Sequence, residues 1–104
     1  MTLVQLDASG WREPSDFYDA ILKALGSPSW HGSNPVALLD TMVSGMGAVH
    51  DLKPPYCVEI LHSAQLPTAV REHIVGVIEL FDRVRGYRRN RGAPDVDATI
   101  IMID

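Results

Sequence analysis

Three groups of residues in this chain could do chemistry. Asp40 is the only charge in a stretch of apolar residues, Trp30 and His31 form an aromatic pair upstream of it, and Arg83, Arg85, Arg88, Arg89 and Arg91 surround Tyr87. A carboxylate in an apolar rim is shielded from water once a partner covers it. Its charge-assisted hydrogen bonds then gain strength, and truncating such a group costs roughly 2–5 kcal/mol of binding. His31 and Asp40 could in principle move a proton, but no nucleophile stands beside them and the chain has no phosphate loop or Gly-rich fingerprint. These are the residues of a binding protein rather than an enzyme. Clustered arginines with an aromatic ring can hold phosphates and stack on bases, although arginines also suit a helix C-terminus or a solvated loop.

The element that must position Asp40 runs from Ser29 to Gly45, SWHGSNPVALLDTMVSG. Gly32 allows backbone dihedrals that other residues resist. Asn34 offers a side-chain oxygen as N-cap, and Pro35 suits the first helical position, where no donor is missed. The spacing predicts a short helix from Val36 to about Val43, stopped by Gly45. On a 3.6-residue turn, Ala37, Leu38 and Met42 fall to one side, and Val36, Leu39, Asp40 and Val43 to the other. The second side carries one charge where a surface helix usually carries several. Either the helix is buried all round, or it presents an apolar face with a carboxylate in it, as partner-binding surfaces do.

Around this stretch the pattern predicts a strand over Leu3–Leu6 and a helix capped by Ser15, with Phe17, Ile21, Ala24 and Leu25 on its apolar face and Gly26 as its stop. Pro54-Pro55 keeps the connector from 46 to 55 free of helix. Tyr56–Leu61 follows as a strand, so continuously apolar that cover on both faces is expected. The longest helix starts at Pro67, carries Val70, Ile74, Val77, Ile78 and Phe81 at helical spacing, and is expected to end near Arg85 at Gly86. Ala98–Ile103 is the last strand. Strand, helices, strand, helix, strand is the order of an α/β domain with a small parallel sheet packed against helices.

With 104 residues the chain is expected to be a single domain from 1 to 104, and 46% hydrophobic content is ordinary for a globular one. No apolar run reaches the length of a membrane span, and the N-terminus lacks the features of a signal peptide. The one cysteine, Cys57, cannot form an internal disulfide; it is expected to be a buried structural thiol, in keeping with a cytoplasmic setting. His31, His50, His62 and His73 lack metal-ligand spacing, so neither metal nor cofactor is implied. Net charge is −4, yet five of the nine basic residues lie between Arg83 and Arg91, where there is no acid. An acidic body of this kind steers basic partners and weighs against nucleic acid.

The sequence of loop, aromatic pair, Gly, Asn cap and short helix closing on Leu-Asp, within this element order, resembles the barstar family of ribonuclease inhibitors. The resemblance implies a three-stranded parallel sheet with helices. It also implies that this loop and helix plug the active site of a small basic ribonuclease or related toxin nuclease in a 1:1 complex. Asp40 matches the family's phosphate-mimicking carboxylate, and Trp30, His31, Gly32 and Asn34 match its loop and cap. The contact surface is then Trp30, His31, Gly32, Asn34, Val36, Leu39, Asp40 and Val43, with Arg83, Arg85, Arg88, Arg89 and Arg91 as a secondary contact. Four positions depart from the family pattern: Val36, Ser33 and Arg83 stand where better-known members have acids, and Leu39 where tryptophan is frequent. The other functions open to this sequence are a scaffold of the same fold binding a protein that is not a nuclease, and a module that holds an anionic partner through the arginines.

Overall fold

The computed structural model describes residues 2–27, 32–44, 50–93 and 97–104, with Ser44 described by its backbone alone. The strands are β1 (Thr2–Asp7), β2 (Tyr56–Leu61) and β3 (Ala98–Ile103), and the helices are α1 (Pro14–Leu25), α2 (Pro35–Leu39) and α3 (Thr68–Asn90). Residues Asp40–Ser44 extend α2 in wider π geometry, and Ser63–Gln65 form a 3-10 turn. All three strands are parallel, in the order β1-β2-β3, with Val4 opposite Val58 and Val58 opposite Ile100.

The pleat divides the strands. Leu6, Tyr56, Val58, Ile60, Ala98 and Ile100 are buried and join Phe17, Ile21 and Leu25 of α1, Leu38, Leu39, Met42 and Val43, and Val70, Ile74, Val77 and Phe81 of α3 in one core. The alternate positions face outward: Leu3 is 57% exposed and Ile101 43%, with Cys57, Glu59 and Leu61 half-buried. The cover expected on both faces of β2 is therefore present on one. Glu59 already marks the open side, where its Oε1 accepts a hydrogen bond from Gln5 Nε2 at 3.0 Å. Cys57 lies on that side too, half-buried where full burial was expected.

Helix ends account for the remaining differences. Pro14, not Ser15, begins α1; Glu13 is the cap residue, and Asp16 accepts from the N–H groups of Arg12 (2.7 Å) and Glu13 (3.1 Å). Those two bonds hold the Asp16 carboxyl below its usual range. Gly26 ends α1 as expected, at φ +68, with its N–H to Lys23 O and that of Ser27 to Leu22 O. Gly86 does not end α3. A lone glycine costs a helix only about 1 kcal/mol relative to alanine, and α3 runs on to Asn90. Gly92 is the actual stop, at φ +76, and repeats the α1 motif: its N–H donates to Arg89 O and that of Ala93 to Arg88 O.

Side-chain contacts fix the direction of α3. Near its start, Arg71 donates to Ser63 O (3.0 Å) and to Asp104 Oδ1 (3.3 Å), just past the end of β3, while Ser63 Oγ also donates to Asp104 (2.6 Å). Near its other end, Arg85 lies 3.9 Å from Asp97, just before β3 begins. The helix therefore runs antiparallel to the strands. Its 23 residues span about 34 Å against about 20 Å for a six-residue strand, and its last buried residue is Phe81, so the final turns project past the sheet. Between helices, Tyr18 Oη and His73 Nε2 share a 2.7 Å hydrogen bond that ties α1 to α3; burial raises the Tyr18 phenol to about 12. The Tyr56 hydroxyl is wholly buried, without a hydrogen-bond partner among the described residues, and burial raises its pKa as well.

One further tie prepares the site. Leu52 N–H donates to Leu25 O (3.0 Å) and Asp51 N–H to Gly26 O (3.2 Å), joining the end of α1 to the segment that leads into β2. The chain between those bonds carries α2.

Candidate functional site

The face around Asp40 starts with a cap. Asn34 has extended backbone (φ −148, ψ 162), and its side-chain oxygen accepts from Ala37 N–H at 2.9 Å, with Pro35 at the first helical position. Gly32 sits close against this cap. A Cβ at Gly32 would come within 3.2 Å of Asn34 Nδ2 and 3.3 Å of Ala37 Cβ, so the close approach favours glycine. A five-residue helix is far too short to persist alone. Tertiary packing holds α2: Leu38, Met42 and Val43 are 0% exposed and Leu39 is 8% exposed.

Those four residues define the buried side, and this changes the expected surface. At about 100° per residue, Leu38, Leu39, Met42 and Val43 fill one arc, and Val36, Ala37, Asp40 and Thr41 the other. Leu39 and Val43 were expected to face a partner; both belong to the core. Val36 is 61% exposed, Asp40, Gly32, Ser33 and Asn34 are exposed, and Ala37 and Thr41 are partly so. Trp30 and His31 lie outside the described residues, as does Gly45. The helix is thus not buried all round. Its open side carries the two apolar side chains Val36 and Ala37, the Asp40 carboxylate, and Thr41, whose Oγ1 donates to the carbonyls of Ala37 (3.1 Å) and Leu38 (3.2 Å). Thr41 was missed from sequence, although the i, i+1, i+4, i+5 spacing of the large apolar residues already places it beside Asp40.

Asp40 is the only Asp, Glu, Lys or Arg between Lys23 and Asp51. Its exposed carboxylate retains its hydration in the free chain and presents two acceptor oxygens, a geometry that suits a planar guanidinium fork.

The arginines lie elsewhere and do not form one patch. Arg85, with 11% of its side chain exposed, pairs with Asp97; Arg89 follows one turn later on that flank, and Arg83 points into solvent. Arg88 and Arg91 lie on the other flank with Val84 and Tyr87, at the i, i+3, i+4 and i+7 positions of one helical stripe. The segment expected as a loop is therefore mostly helix, and the helix sorts its charges. Among the described residues no three His, Cys, Asp or Glu side chains cluster as metal ligands.

A small parallel α/β domain that presents a capped, almost uncharged helix with one exposed carboxylate has the build of a binding protein. The family model for Barstar (barnase inhibitor) matches residues 1–96, and the chain belongs to the barstar family. The family is one of ribonuclease inhibitors rather than enzymes. No curated protein matches the chain. Among the described residues no helix is long and apolar enough to cross a membrane.

Proposed function

We propose that this protein is an intracellular inhibitor of a small basic ribonuclease or related toxin nuclease, acting as an immunity or antitoxin protein by occluding the active site in a 1:1 complex. The observation that carries the reading is the exposed Asp40 carboxylate at the end of α2, the only Asp, Glu, Lys or Arg in the chain between Lys23 and Asp51. An active site built to hold a phosphodiester offers arginines, lysines or a protonated histidine to an anion. Asp40 supplies that anion on a backbone that cannot be cleaved, while Val36 and Ala37 exclude water from the pair. Occlusion needs no bond-making by the inhibitor. The acidic body supports the same partner, because thirteen acids against nine bases steer a basic protein towards it.

The family departures narrow the target. With Val36 and Ser33 in place of acids, the face offers a single anion, so its complement is an active site with one dominant cationic pocket next to an apolar rim. Trp30 and His31, which precede Gly32 in the chain, extend the proposed contact surface. Leu39 and Val43 support it from below rather than touching the partner.

The reading is tested by capture from native lysate on immobilised protein, wild type beside Asp40→Ala, followed by nuclease assay of whatever is held. Retention of a small basic protein by wild type alone, with its nuclease activity blocked at one equivalent of inhibitor, is the expected result. Equal retention by both proteins would remove Asp40 from the contact and sink this mechanism.

A further inference from the structure

The end of α3 does something the α2 face cannot. Val84, Tyr87, Arg88, Arg91, Gly92 and Ala93 enclose a groove of about 530 Å³ where the helix projects past the sheet. Its wall combines three chemistries. Val84 and Ala93 are apolar; Tyr87, 60% exposed, offers an aromatic ring; Arg88 and Arg91 offer guanidinium donors. Arg91 is set in place: its guanidinium carbon lies 5.3 Å from the Tyr87 ring centre and its Nη1 donates to Tyr87 Oη at 3.0 Å. Arg88 Nε is a buried donor without a partner among the described residues, and a buried unpaired donor to a charged group is costly unless something completes it. Arg83, exposed to solvent, adds positive field, and no acid interrupts the run from Arg83 to Arg91.

From this geometry we infer that the groove binds single-stranded nucleic acid, taking a base against Tyr87 and its phosphates on Arg88 and Arg91. A carboxylate side chain from a protein would satisfy an arginine but leave the ring and the apolar wall uncovered. A nucleotide fills all three: the base covers Tyr87 and the apolar wall, and the phosphate meets the guanidinium forks. The sequence alone weighs against this partner, because the chain is acidic and the segment has the composition of a solvated loop. The helix alters the balance by gathering two arginines and the ring on one stripe while Asp97 occupies Arg85 on the other. This inference is independent of the inhibitor reading, since Asp40 lies on a different element.

Fluorescence anisotropy of a labelled uridine octamer with the full chain tests it. Binding in the micromolar range at low salt is expected, weakening with a slope of log K against log salt of about −1.5 to −3, as for two to four phosphate contacts. Tyr87→Ala should weaken binding about fivefold or more, and Tyr87→Phe should weaken it less, since the ring face is retained and only the hydrogen bond to Arg91 is lost. Arg91→Gln should reduce the slope by about 0.7. Tyr87 and Arg91 are both exposed, so these variants should fold, which far-UV circular dichroism checks. Absence of binding at about 0.1 mM protein, the weak end of non-specific affinity, would overturn the inference. So would indifference to Tyr87→Ala, equal affinity for a glutamate octamer, or equal affinity for uridine monophosphate, which would point to a lone nucleotide.

Discussion

The α2 face and the end of α3 handle charge in opposite ways. At the end of α2 a single carboxylate is the only Asp, Glu, Lys or Arg in the chain between Lys23 and Asp51, and the helix that carries it is held by four buried side chains. At the end of α3 five arginines crowd into nine residues beyond the last buried position, Phe81, with little of the core beneath them. A lone charge that a partner desolvates gives specificity, because the wrong partner leaves it buried and unpaired. A crowd of charges in solvent gives attraction that salt screens and that depends little on the partner's detail. Scarcity of charge makes α2 selective; abundance makes the end of α3 tolerant.

The sharpest way to break that contrast is to remove its scarce member. Asp40→Ala should weaken binding of the captured nuclease by roughly 2–5 kcal/mol, while folding stability changes by less than about 0.5 kcal/mol, because the side chain is exposed. Titration calorimetry and urea denaturation measure the two. If Arg83→Gln costs the complex as much as Asp40→Ala, selectivity does not reside on α2.

A second experiment asks whether Leu39 and Val43 support the face or belong to it. Leu39→Ala should destabilise the protein by about 2–4 kcal/mol and Val43→Ala by about 1–3 kcal/mol in urea, both being core residues. Nuclease affinity measured well below the unfolding transition should change far less. A large affinity loss with unchanged stability would return these residues to the contact surface.

Smaller in effect is the cap. Asn34→Ala removes the acceptor for Ala37 N–H and should cost about 1 kcal/mol, with Asn34→Asp recovering most of it. Since α2 is so short, the same change should loosen Asp40 and raise the dissociation rate, seen by surface plasmon resonance. An unchanged rate would mean that packing alone positions the carboxylate.

The smallest effect concerns pH and reaches the scaffold rather than either region. Tyr18 ionises near 10 in the unfolded chain and at about 12 in the folded one. The folded state therefore holds the proton more tightly, so this contribution is whole below pH 10 and is lost as pH rises towards 12. Asp7, Asp16 and Asp104 shift the other way, their carboxyls lowered from 3.8 chiefly by hydrogen bonds from Ser9, from Arg12 and Glu13, and from Ser63 and Arg71. Their contribution is present above pH 3.8 and fades as pH falls below it. Thermal midpoints should fall at both extremes, and Tyr18→Phe should blunt the alkaline fall.

Much of this was legible beforehand, and the misses share a cause. β2 and β3 run over the expected residues because runs rich in β-branched residues that follow Pro55 and Pro94 leave little choice. The start of α2 was equally clear, since Asn-Pro cap chemistry is local. What failed depended on tertiary context. The open face of the sheet could not be read from strands that are apolar on both sides, and Gly86 looked like a stop because propensity cannot show that the next turn is worth keeping. Leu39 and Val43 were set on the wrong side because Ala37 was grouped with the larger apolar residues, when it lies at the edge of the open arc.

The bonds from Asp51 to Gly26 and from Leu52 to Leu25 have a consequence for how such a protein can diversify. They close a circuit in the backbone, and everything between them is an excursion whose two ends are already fixed to the scaffold. Because both ends are held, the closure entropy of the intervening chain grows slowly with its length, about 0.6 kcal/mol for each doubling. The register of the sheet is set by strands that lie outside this excursion, so its length and the strand pairing are separate variables. The anchor and the aromatic pair before it can thus be re-spaced relative to each other, fitting the same scaffold to a nuclease of a different shape.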